Sequence, residues 1–421
     1  WETTKPVAVY QHPLALRLIE NRSMNYSTTL IRTYKYRLYP TNAQERQLDF
    51  LLWQGRNLYN VALEQRITTY QETGESLKYV DQWAHFRDLR RANPDTLGQL
   101  NATSMQQMLR RLDKAFAGFF RRLKRGEKPG FPRFKGRHRF NSLEYKPGDG
   151  CKLRFDDTGR ALFYVQNVGE IKVKYHRPLP EGATIKHVVV KRSNRKWYVC
   201  FQLEFAAPQP EPRDLEPVGI DVGLLRLLTL SDGTQIDNPR WLRESLADLR
   251  VAQRRLSRRV KGSNRRRKAA QDVARIHEHI SNQRRDFWHK TTRWLVDTYG
   301  LVAIENLTLD FMTHNPHLSL SAHDAALGLF RELLTYKAES AGTQVIAVNP
   351  QYTSQVCSGC GQIVVKPLSE RVHDCPHCHL RLDRDENAAR NILALALAFE
   401  SARTGPSGVN VAGYGVRSLR S

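Results

Sequence analysis

Three acidic residues of this chain stand where predicted core elements end. Asp221 follows the apolar run of VGIDVG, Glu305 closes LVAIEN, and Asp385 opens the helix predicted from DENAARNILALALAFE. One such residue alone is usually a turn or helix-capping residue, but rims of rigid scaffolds also carry catalytic side chains. Carboxylates are ligands that Mg²⁺ prefers, and two such ions can activate a water and stabilise the leaving oxygen of a phosphodiester. We therefore predict that Asp221, Glu305 and Asp385 hold two Mg²⁺ ions, with Mn²⁺ as a possible substitute.

Four of the six cysteines form two Cys-x-x-Cys motifs, CSGC and CPHC, within one short segment. This spacing is typical of a zinc ribbon, in which four thiolates bind one structural Zn²⁺ and leave no open coordination position. The predicted ligands are Cys357, Cys360, Cys375 and Cys378. The alternatives are two disulfides, which a reducing compartment disfavours, or a site that has lost its metal. Three neighbouring histidines are predicted to be solvated: His373, His377 and His379.

The chain is strongly basic, with 66 lysines and arginines against 42 acidic residues and a formal net charge of +24. Such a surface predicts a polyanionic partner, and nucleic acid is the commonest one. A ribosomal or chromatin-type packing protein would be equally basic. Charge therefore indicates the partner but does not indicate an enzyme.

Two basic segments are the predicted contacts to nucleic acid. The segment 250–268 has so many arginines that they cannot all face a core, and it hardly alternates the sign of its charges, so we expect phosphate contacts. The segment KPGFPRFKGRHRF mixes cations with Phe131, Phe134 and Phe140, as a groove for nucleic acid does; the alternative is a solvated loop whose phenylalanines fill the core. The predicted contact residues are Arg254, Arg255, Arg258, Arg259, Arg265, Arg266, Arg133, Lys135 and Arg137.

Hydrophobic periodicity places a strand, helices and a β-rich region in the first half. Residues 31–39 alternate as a half-buried strand does and stop at Pro40, after which Thr41 and Gln44 have the spacing of a capping box. The next helix has an apolar stripe from Leu48 to Leu63, and a second long helix is predicted over about 103–125. Further β-like stretches up to Phe205, together with the first strand, predict a small β-barrel.

In the second half, strands and helices follow each other in a recognisable order. VGIDVG, LRLLTLS and TQID predict three strands, the last two joined by a turn at Asp232 and Gly233. A helical pair over 240–298 with a loop at KGSNRRR, strand LVAIEN, a helix around 323–341, strand TQVIAV and a final helix follow. This is the element order of an RNase H-like α/β domain. The predicted fold class is therefore multidomain α+β.

Length and the chain ends complete this interpretation. The 421 residues exceed the size of a single core, so two or more domains are expected. No long apolar run or secretion signal occurs, which predicts a soluble cytoplasmic protein, prokaryotic and associated with the nucleoid, and no membrane partner. Residues 1–30 are expected to be a disordered extension, and 404–421 a disordered tail.

Motifs in a fixed order resemble the TnpB family of transposon-encoded nucleases. These are KYRLYPT, GFPRFK, VGIDVG, IENL, the two cysteine motifs and DRDENAARNI, which together cover about residues 31–400. The resemblance implies an RNA-guided DNA endonuclease, related to type V CRISPR effectors, that binds a guide RNA and target double-stranded DNA next to a short target-adjacent motif. It identifies Asp221, Glu305 and Asp385 as the RuvC metal ligands, and selects Asp385 over Asp383, which is left as an N-cap or solvated residue.

The family architecture also implies domain boundaries. The boundaries are a wedge-type β-barrel at 31–43 and 140–206, a helical recognition lobe at 44–139, a linker at 207–217, a RuvC-type nuclease domain at 218–349 and 383–403, and a zinc-ribbon module that binds target nucleic acid at 350–382. Two departures from the family pattern concern local packing. His379 stands where a glycine usually follows the last cysteine motif, and ALGLF at 326–330 replaces a tryptophan-bearing GWGEF.

Other functions remain open at this point. A compact type V CRISPR effector would share every motif. A catalytically inactive RNA-guided repressor would be marked by loss of a carboxylate, and none is lost. A transposase that joins strands without a guide would share the nuclease chemistry, but only a guided protein would carry a discrete RNA, most simply as a monomeric ribonucleoprotein.

Overall fold

A computed structural model describes residues 29–137, 139–207, 214–307, 310–367 and 370–404. The chain divides into two compact units, one ending at Ala207 and one beginning after it. The predicted N-terminal extension up to residue 28, residues 208–213 of the predicted linker, and the predicted tail from 405 lie outside the described residues. No helix in the described ranges is long and apolar enough to cross a membrane.

The first unit contains one antiparallel sheet of seven strands in the order β2-β6-β7-β1-β5-β4-β3. The strands are β1 (Thr29–Tyr39), β2 (Ser142–Tyr145), β3 (Cys151–Phe155), β4 (Ala161–Val165), β5 (Gly169–Lys174), β6 (Thr184–Ser193) and β7 (Lys196–Ala206). Strand β1 lies in the centre of the sheet and buries Tyr36 and Leu38 in the core. The prediction that this first strand joins the later ones is confirmed, while closure into a barrel stays a prediction.

Three helices follow β1 in this unit: α1 (Asn42–Thr73), α2 (Tyr79–Ala92) and α3 (Ala102–Lys124). The predicted capping box starts α1, because the Thr41 hydroxyl accepts from the Gln44 N–H and the Gln44 side chain accepts from the Thr41 N–H. The apolar stripe of α1 is buried as predicted. Helix α3 buries its apolar face only as far as Leu112, and Leu123 near the end of the helix is exposed. Helix α2 was not predicted.

The second unit is built on a mixed sheet of five strands in the order β10-β9-β8-β11-β12. The strands are β8 (Pro217–Val222), β9 (Arg226–Leu230), β10 (Gln235–Asp237), β11 (Leu301–Glu305) and β12 (Gln344–Val348). Strands β8, β9 and β10 pair antiparallel, whereas β11 runs parallel to both β8 and β12. Each of the strands predicted for this sheet is present, in the predicted order.

Helices cover this sheet. They are α4 (Trp241–Glu244), α5 (Leu246–Ser257), α6 (Asn264–Thr298), α7 (Asp310–His314), α8 (Ser319–Ala325), α9 (Leu327–Ala341) and α10 (Arg384–Thr404). The loop predicted at KGSNRRR is shorter, because the Ser263 hydroxyl accepts from the Arg266 N–H and α6 begins at Asn264. The helix predicted around 323–341 is broken at Ala326, whose φ of 52° is left-handed.

A glycine in β8 allows helix α10 to lie directly against the sheet. A Cβ atom added to Gly219 would collide with the carbonyl oxygen of Ala389 and with the backbone of Leu393. Gly219 is therefore a point of close backbone approach within the strand that carries Asp221. This packing brings the first turn of α10 to the sheet.

Candidate functional site

The second unit brings the three predicted carboxylates together. Asp221 lies near the end of β8, Glu305 is the last residue of β11, and Asp385 lies in the first turn of α10. Because β8 and β11 are adjacent and parallel, their carboxyl ends meet at one edge of the sheet. The carboxylates of both Glu305 and Asp385 act on the charge of Asp221. The fold therefore places three acids from distant parts of the sequence in one cluster.

The electrostatics of this cluster favour a bound cation. Burial, followed by repulsion from Glu305 and Asp385, raises the pKa of Asp221 to about 8, although Arg384 opposes the shift. Burial also raises the pKa of Glu305. The ionised form of Asp221 is therefore costly unless a cation neutralises it. Their oxygen atoms form the donor set of Mg²⁺ or Mn²⁺, so the residues fit the predicted ions.

Glu305 is held by a hydrogen bond that the sequence did not reveal. The buried Thr353 hydroxyl lies 2.5 Å from Oε1 of Glu305, and the carbonyl oxygen of Thr353 accepts from Asn391 Nδ2 at 2.8 Å. Asn391 lies on α10, the helix that also carries Asp385. Two of the three carboxylates are thus tied to the same helix.

Asp383 and Asp385 have different partners, although only two positions separate them. Asp383 Oδ1 accepts from the backbone N–H of Asp385 at 2.8 Å, and its Oδ2 pairs with Arg226 at 2.8 Å. Asp383 was expected to cap the helix or to be solvated, and this residue caps the helix. Asp383 therefore caps the helix and pairs with Arg226, whereas Asp385 acts on the charge of Asp221.

Arg371 is a site residue that the sequence analysis missed. Its Nη1 lies 3.5 Å from both carboxylate oxygens of Asp385, and its carbonyl oxygen accepts from the N–H of Arg384 at 2.8 Å. The hairpin of β13 (Val372–Asp374) and β14 (Arg381–Asp383) creates this contact by pairing Val372 with Asp383. The signal available in the sequence was the position of CPHC between two short segments, which can pair as a hairpin and so bring Arg371 next to the start of α10. The side chain is half-exposed, so it can contact a phosphate next to the acids.

The predicted cysteines form a compact cluster. Among the described residues, their four sulfurs are the only set of three or more potential ligand atoms within 4.8 Å of one another. Cys357 and Cys378 have sulfurs 3.5 Å apart, and those of Cys360 and Cys375 are 3.6 Å apart. Zn–S bonds of about 2.3 Å in a tetrahedron separate sulfurs by about 3.8 Å. The cluster therefore fits one structural zinc ion.

Two equivalent turns build this cluster. The N–H of Gly361 donates to the carbonyl oxygen of Cys357 at 2.8 Å, and the N–H of His379 donates to that of Cys375 at 2.9 Å. Gly361 has φ 74° and His379 has φ 61°, so His379 adopts a left-handed conformation that favours glycine. The departure from the family pattern at His379 is therefore a point of backbone strain.

One prediction about the histidines is wrong. His377 and His379 are exposed, but His373 is fully buried, with its Nδ1 2.6 Å from Nζ of Lys366. The alternation of β13 places His373 on the covered face of its hairpin. No histidine of the described residues joins the cysteine cluster.

Helix α10 also holds the first cysteine turn. Buried Asn387 accepts from the N–H of Ser358 at 2.9 Å and donates to the carbonyl oxygen of Val356 at 2.7 Å. Asn391 donates to the same Val356 oxygen at 2.7 Å. One helix thus connects the cysteine cluster with the carboxylate cluster.

The predicted arginines of 250–268 lie on the hairpin of α5 and α6. The exposed ones are Arg254, Arg255, Arg258, Arg259 and Arg265. Arg266 differs, because its guanidinium donates to the carbonyl oxygens of Leu256 and Arg259 and closes the loop. Arg266 therefore has a structural role that the prediction of phosphate contacts did not include.

The predicted loop contacts in the first unit divide in a similar way. Arg133 and Arg137 are exposed, while Lys135 exchanges backbone hydrogen bonds with the side chain of Asn60 on α1. Phe140 is buried in the core, so for this residue the alternative interpretation as a core residue is correct. Phe131 and Phe134 are half-exposed.

Three segments of the chain match known protein families. Residues 188–315 match a family described as "probable transposase", residues 328–392 one described as "Cas12f1-like, TNB domain", and residues 27–75 one described as "helix-turn-helix domain". In this chain, the described part of the last segment contains β1 and the unbroken helix α1. The TNB match contains the four cysteines and Asp385.

Two curated relatives cover most of the chain. A "putative RNA-guided DNA endonuclease" of Streptomyces pristinaespiralis is 35% identical over 90% of this chain and 95% of its own length. A "putative RNA-guided DNA endonuclease InsQ" of Escherichia coli K12 is 29% identical over 86% of this chain and 92% of its own length. Among solved structures, a Cas12f1–sgRNA–target DNA complex contains a chain with a similar fold, with a TM-score of 0.56 and 14% identity over 87% of this chain and 99% of that chain.

Proposed function

The chain belongs to the TnpB family of RNA-guided DNA endonucleases, and we propose that it hydrolyses DNA phosphodiesters at the cluster of Asp221, Glu305 and Asp385. Its substrate is double-stranded DNA whose sequence is selected by a bound guide RNA next to a short target-adjacent motif. The convergence of three carboxylates at one edge of the five-stranded sheet supports this proposal most strongly. An RNA-guided binding protein without cleavage would have no use for this arrangement.

The strand order supports a RuvC-type assignment. The sheet begins with three antiparallel strands, β8, β9 and β10, and continues with the parallel strands β11 and β12. Its order, β10-β9-β8-β11-β12, is that of RNase H-like domains. We assign residues 218–349 and 383–403 to this domain and residues 350–382 to the zinc-ribbon module. In the same proposal, residues 31–43 and 140–206, which contain the seven-stranded sheet, form the wedge barrel. Residues 44–139 form the recognition lobe, and residues 207–217 form the linker.

Each residue of the site has a distinct task in this proposal. Asp221, Glu305 and Asp385 would hold two divalent ions, which when bound supply an activated water and stabilise the leaving oxygen. Thr353 orients Glu305 through its hydroxyl group. Asp383 caps α10 and so fixes the turn that carries Asp385. Arg371 binds a phosphate oxygen of the strand that enters the site and thereby offsets repulsion between the acids and DNA.

The zinc-ribbon module has a structural task. Cys357, Cys360, Cys375 and Cys378 would bind one Zn²⁺ with no position left for a substrate, so the ion stabilises the module without taking part in hydrolysis. The exposed arginines of the α5–α6 hairpin and of the 133–137 loop bind phosphates of the guide RNA or of its duplex with target DNA. The simplest assembly is one chain with one guide RNA.

A reconstitution experiment tests the proposed function. The chain is purified without nuclease treatment, its bound RNA is sequenced, and cleavage is assayed on a plasmid library with that RNA and Mg²⁺. We expect one discrete RNA, and cuts only in plasmids that contain its complement beside one short motif. Cleavage that ignores the guide, or a preparation that binds no specific RNA, would contradict the proposal.

A further inference from the structure

The end of helix α3 carries aromatic rings that the core covers only in part. The last buried residue of α3 is Leu112, yet the apolar stripe continues for three more turns. Phe116, Phe119 and Phe120 form a continuous ring cluster with Phe131, with ring centroids between 5.2 and 6.4 Å apart. Phe120 is 48% exposed and Phe131 is 47% exposed. Large aromatic surface of this kind marks an interaction site more often than chance exposure.

Cations surround these rings. Arg121, Lys124 and Arg125 line an open groove of about 420 Å³ together with Ala117 and Phe120. Arg122 donates to the carbonyl oxygen of Gly130 at 3.2 Å and so holds the following loop beside the helix. Glu127 is the only acidic residue between Phe116 and Phe131 in the sequence, and its carboxylate lies 3.9 Å from Arg125, so cations remain in excess on this surface.

We propose that the surface formed by Phe116, Phe119, Phe120 and Phe131 with Arg121, Lys124 and Arg125 stacks unpaired nucleotides of the guide RNA. The inference rests on the proposed function, because it needs a guide RNA. Cations alone would suffice for duplex phosphates, but exposed ring faces need bases that are not already stacked in a helix. A second copy of the chain is a poor occupant, because two such positive surfaces repel each other.

The guide RNA is favoured over single-stranded DNA for a physical reason. A DNA strand could cover the rings only while a target is bound, and would leave them in water at all other times. A permanently bound RNA would cover them throughout, which reduces the risk of aggregation from an exposed apolar patch. The proposal therefore predicts that the guide RNA contacts this aromatic surface before any target DNA is bound.

The test compares Phe120→Ala with Phe120→Trp and with Tyr70→Ala in the full chain. Tyr70 is an exposed aromatic residue of α1 and serves as the control. We expect Phe120→Ala to weaken guide RNA binding by about tenfold, given that base stacking contributes about 1–3 kcal/mol per base. Phe120→Trp should restore affinity, and Tyr70→Ala should leave it unchanged. Ultraviolet crosslinking should join Phe120 to an unpaired guide nucleotide without DNA.

The salt dependence provides an independent criterion. Phe120→Ala should leave the slope of log affinity against log salt unchanged, whereas Arg121→Gln with Lys124→Gln should lower it by about 1.5. If the wild type binds RNA and cleaves DNA, but Phe120→Ala binds guide RNA with unchanged affinity, only this inference is overturned. Crosslinks to DNA alone, or an RNA-free dimer that Phe120→Ala dissociates, would also overturn it. A wild type that binds no RNA would instead contradict the proposed function.

Discussion

The hydroxyl group of Thr353 lies between two acceptors, 2.5 Å from Oε1 of Glu305 and 3.0 Å from the carbonyl oxygen of Pro350. A hydroxyl group has one hydrogen and can donate to only one of them at a time. An ionised carboxylate is the stronger acceptor, so a metal-bound Glu305 takes this hydrogen bond. Thr353 therefore fixes the orientation in which Glu305 meets a cation.

Thr353→Val should weaken the divalent metal site while the fold persists. The substitution removes the hydroxyl group but keeps the volume, and loss of a partner that orients a ligand typically lowers metal affinity about 10–100-fold. Titration of Mn²⁺ followed by electron paramagnetic resonance measures the effect directly. Thr353→Ser keeps the hydroxyl and should restore affinity. Equal Mn²⁺ affinity in Thr353→Val and the wild type would exclude this role for Thr353.

Cys375→Ser should remove the structural metal and disturb cleavage without preventing guide binding. We expect one zinc per chain in the wild type and none in the variant, because three thiolates hold the ion poorly at this site. The first cysteine turn is tied to α10 through Asn387, so its disorder should reach the carboxylates. Metal analysis, guide RNA affinity and cleavage are measured in parallel with Cys200→Ser, which changes a cysteine of β7 outside the cluster. Folded wild type without zinc would refute the assignment.

His379→Gly should stabilise the cysteine cluster. The left-handed φ of 61° at His379 costs about 1–2 kcal/mol for a residue with a side chain, and the exposed imidazole loses few contacts on removal. A gain of about 1 kcal/mol would slow zinc release to a chelator about fivefold. Gly361→Ala, at the equivalent position of the other turn, should accelerate release. If His379→Gly released zinc faster than Gly361→Ala, the left-handed φ at these positions would not control the stability of the cluster.

Removal of Arg258 and Arg259 tests the basic hairpin. Each phosphate contact that is lost lowers the slope of log affinity against log salt by about 0.7–0.9, so the double alanine variant should lower it by about 1.5 for every target sequence. Arg87→Ala with Arg91→Ala is the control, because it removes the same charge from arginines that lie beside Asp88. An unchanged slope in the hairpin variant would mean that Arg258 and Arg259 are merely solvated.

The sequence predicted those features of the fold that depend on local periodicity. Alternation along β1, the Thr41 capping box and the stripe of α1 are local patterns, and each is present. The end of α3 shows the limit of such patterns, because an amphipathic stripe identifies one face of a helix but not what covers it. The break at Ala326 was equally invisible, since nothing in the residue type requires its left-handed φ.

The site was predictable where chemistry and element ends coincide in the sequence. The positions of Asp221, Glu305 and Asp385 at element ends indicated that they could meet, and the spacing of the cysteines indicated their cluster. Thr353 and Arg371 could not be found in the same way, because each reaches its carboxylate through tertiary structure. His373 was assigned to solvent because four cysteines already complete a zinc site, whereas the hairpin decides its burial.

The most direct measurement compares cleavage by Asp385→Ala and Asp383→Ala with the same guide, target and Mg²⁺. Removal of a metal ligand should lower the cleavage rate by at least about 100-fold without weakening guide or target binding. We therefore predict that Asp385→Ala, like Asp221→Ala and Glu305→Ala, binds both nucleic acids and cuts neither strand. Asp383→Ala loses a helix cap and the ion pair with Arg226 but no proposed metal ligand, so this variant should retain measurable cleavage. An Asp385→Ala protein that cuts at nearly the wild-type rate beside an inactive Asp383→Ala protein would contradict the proposed site.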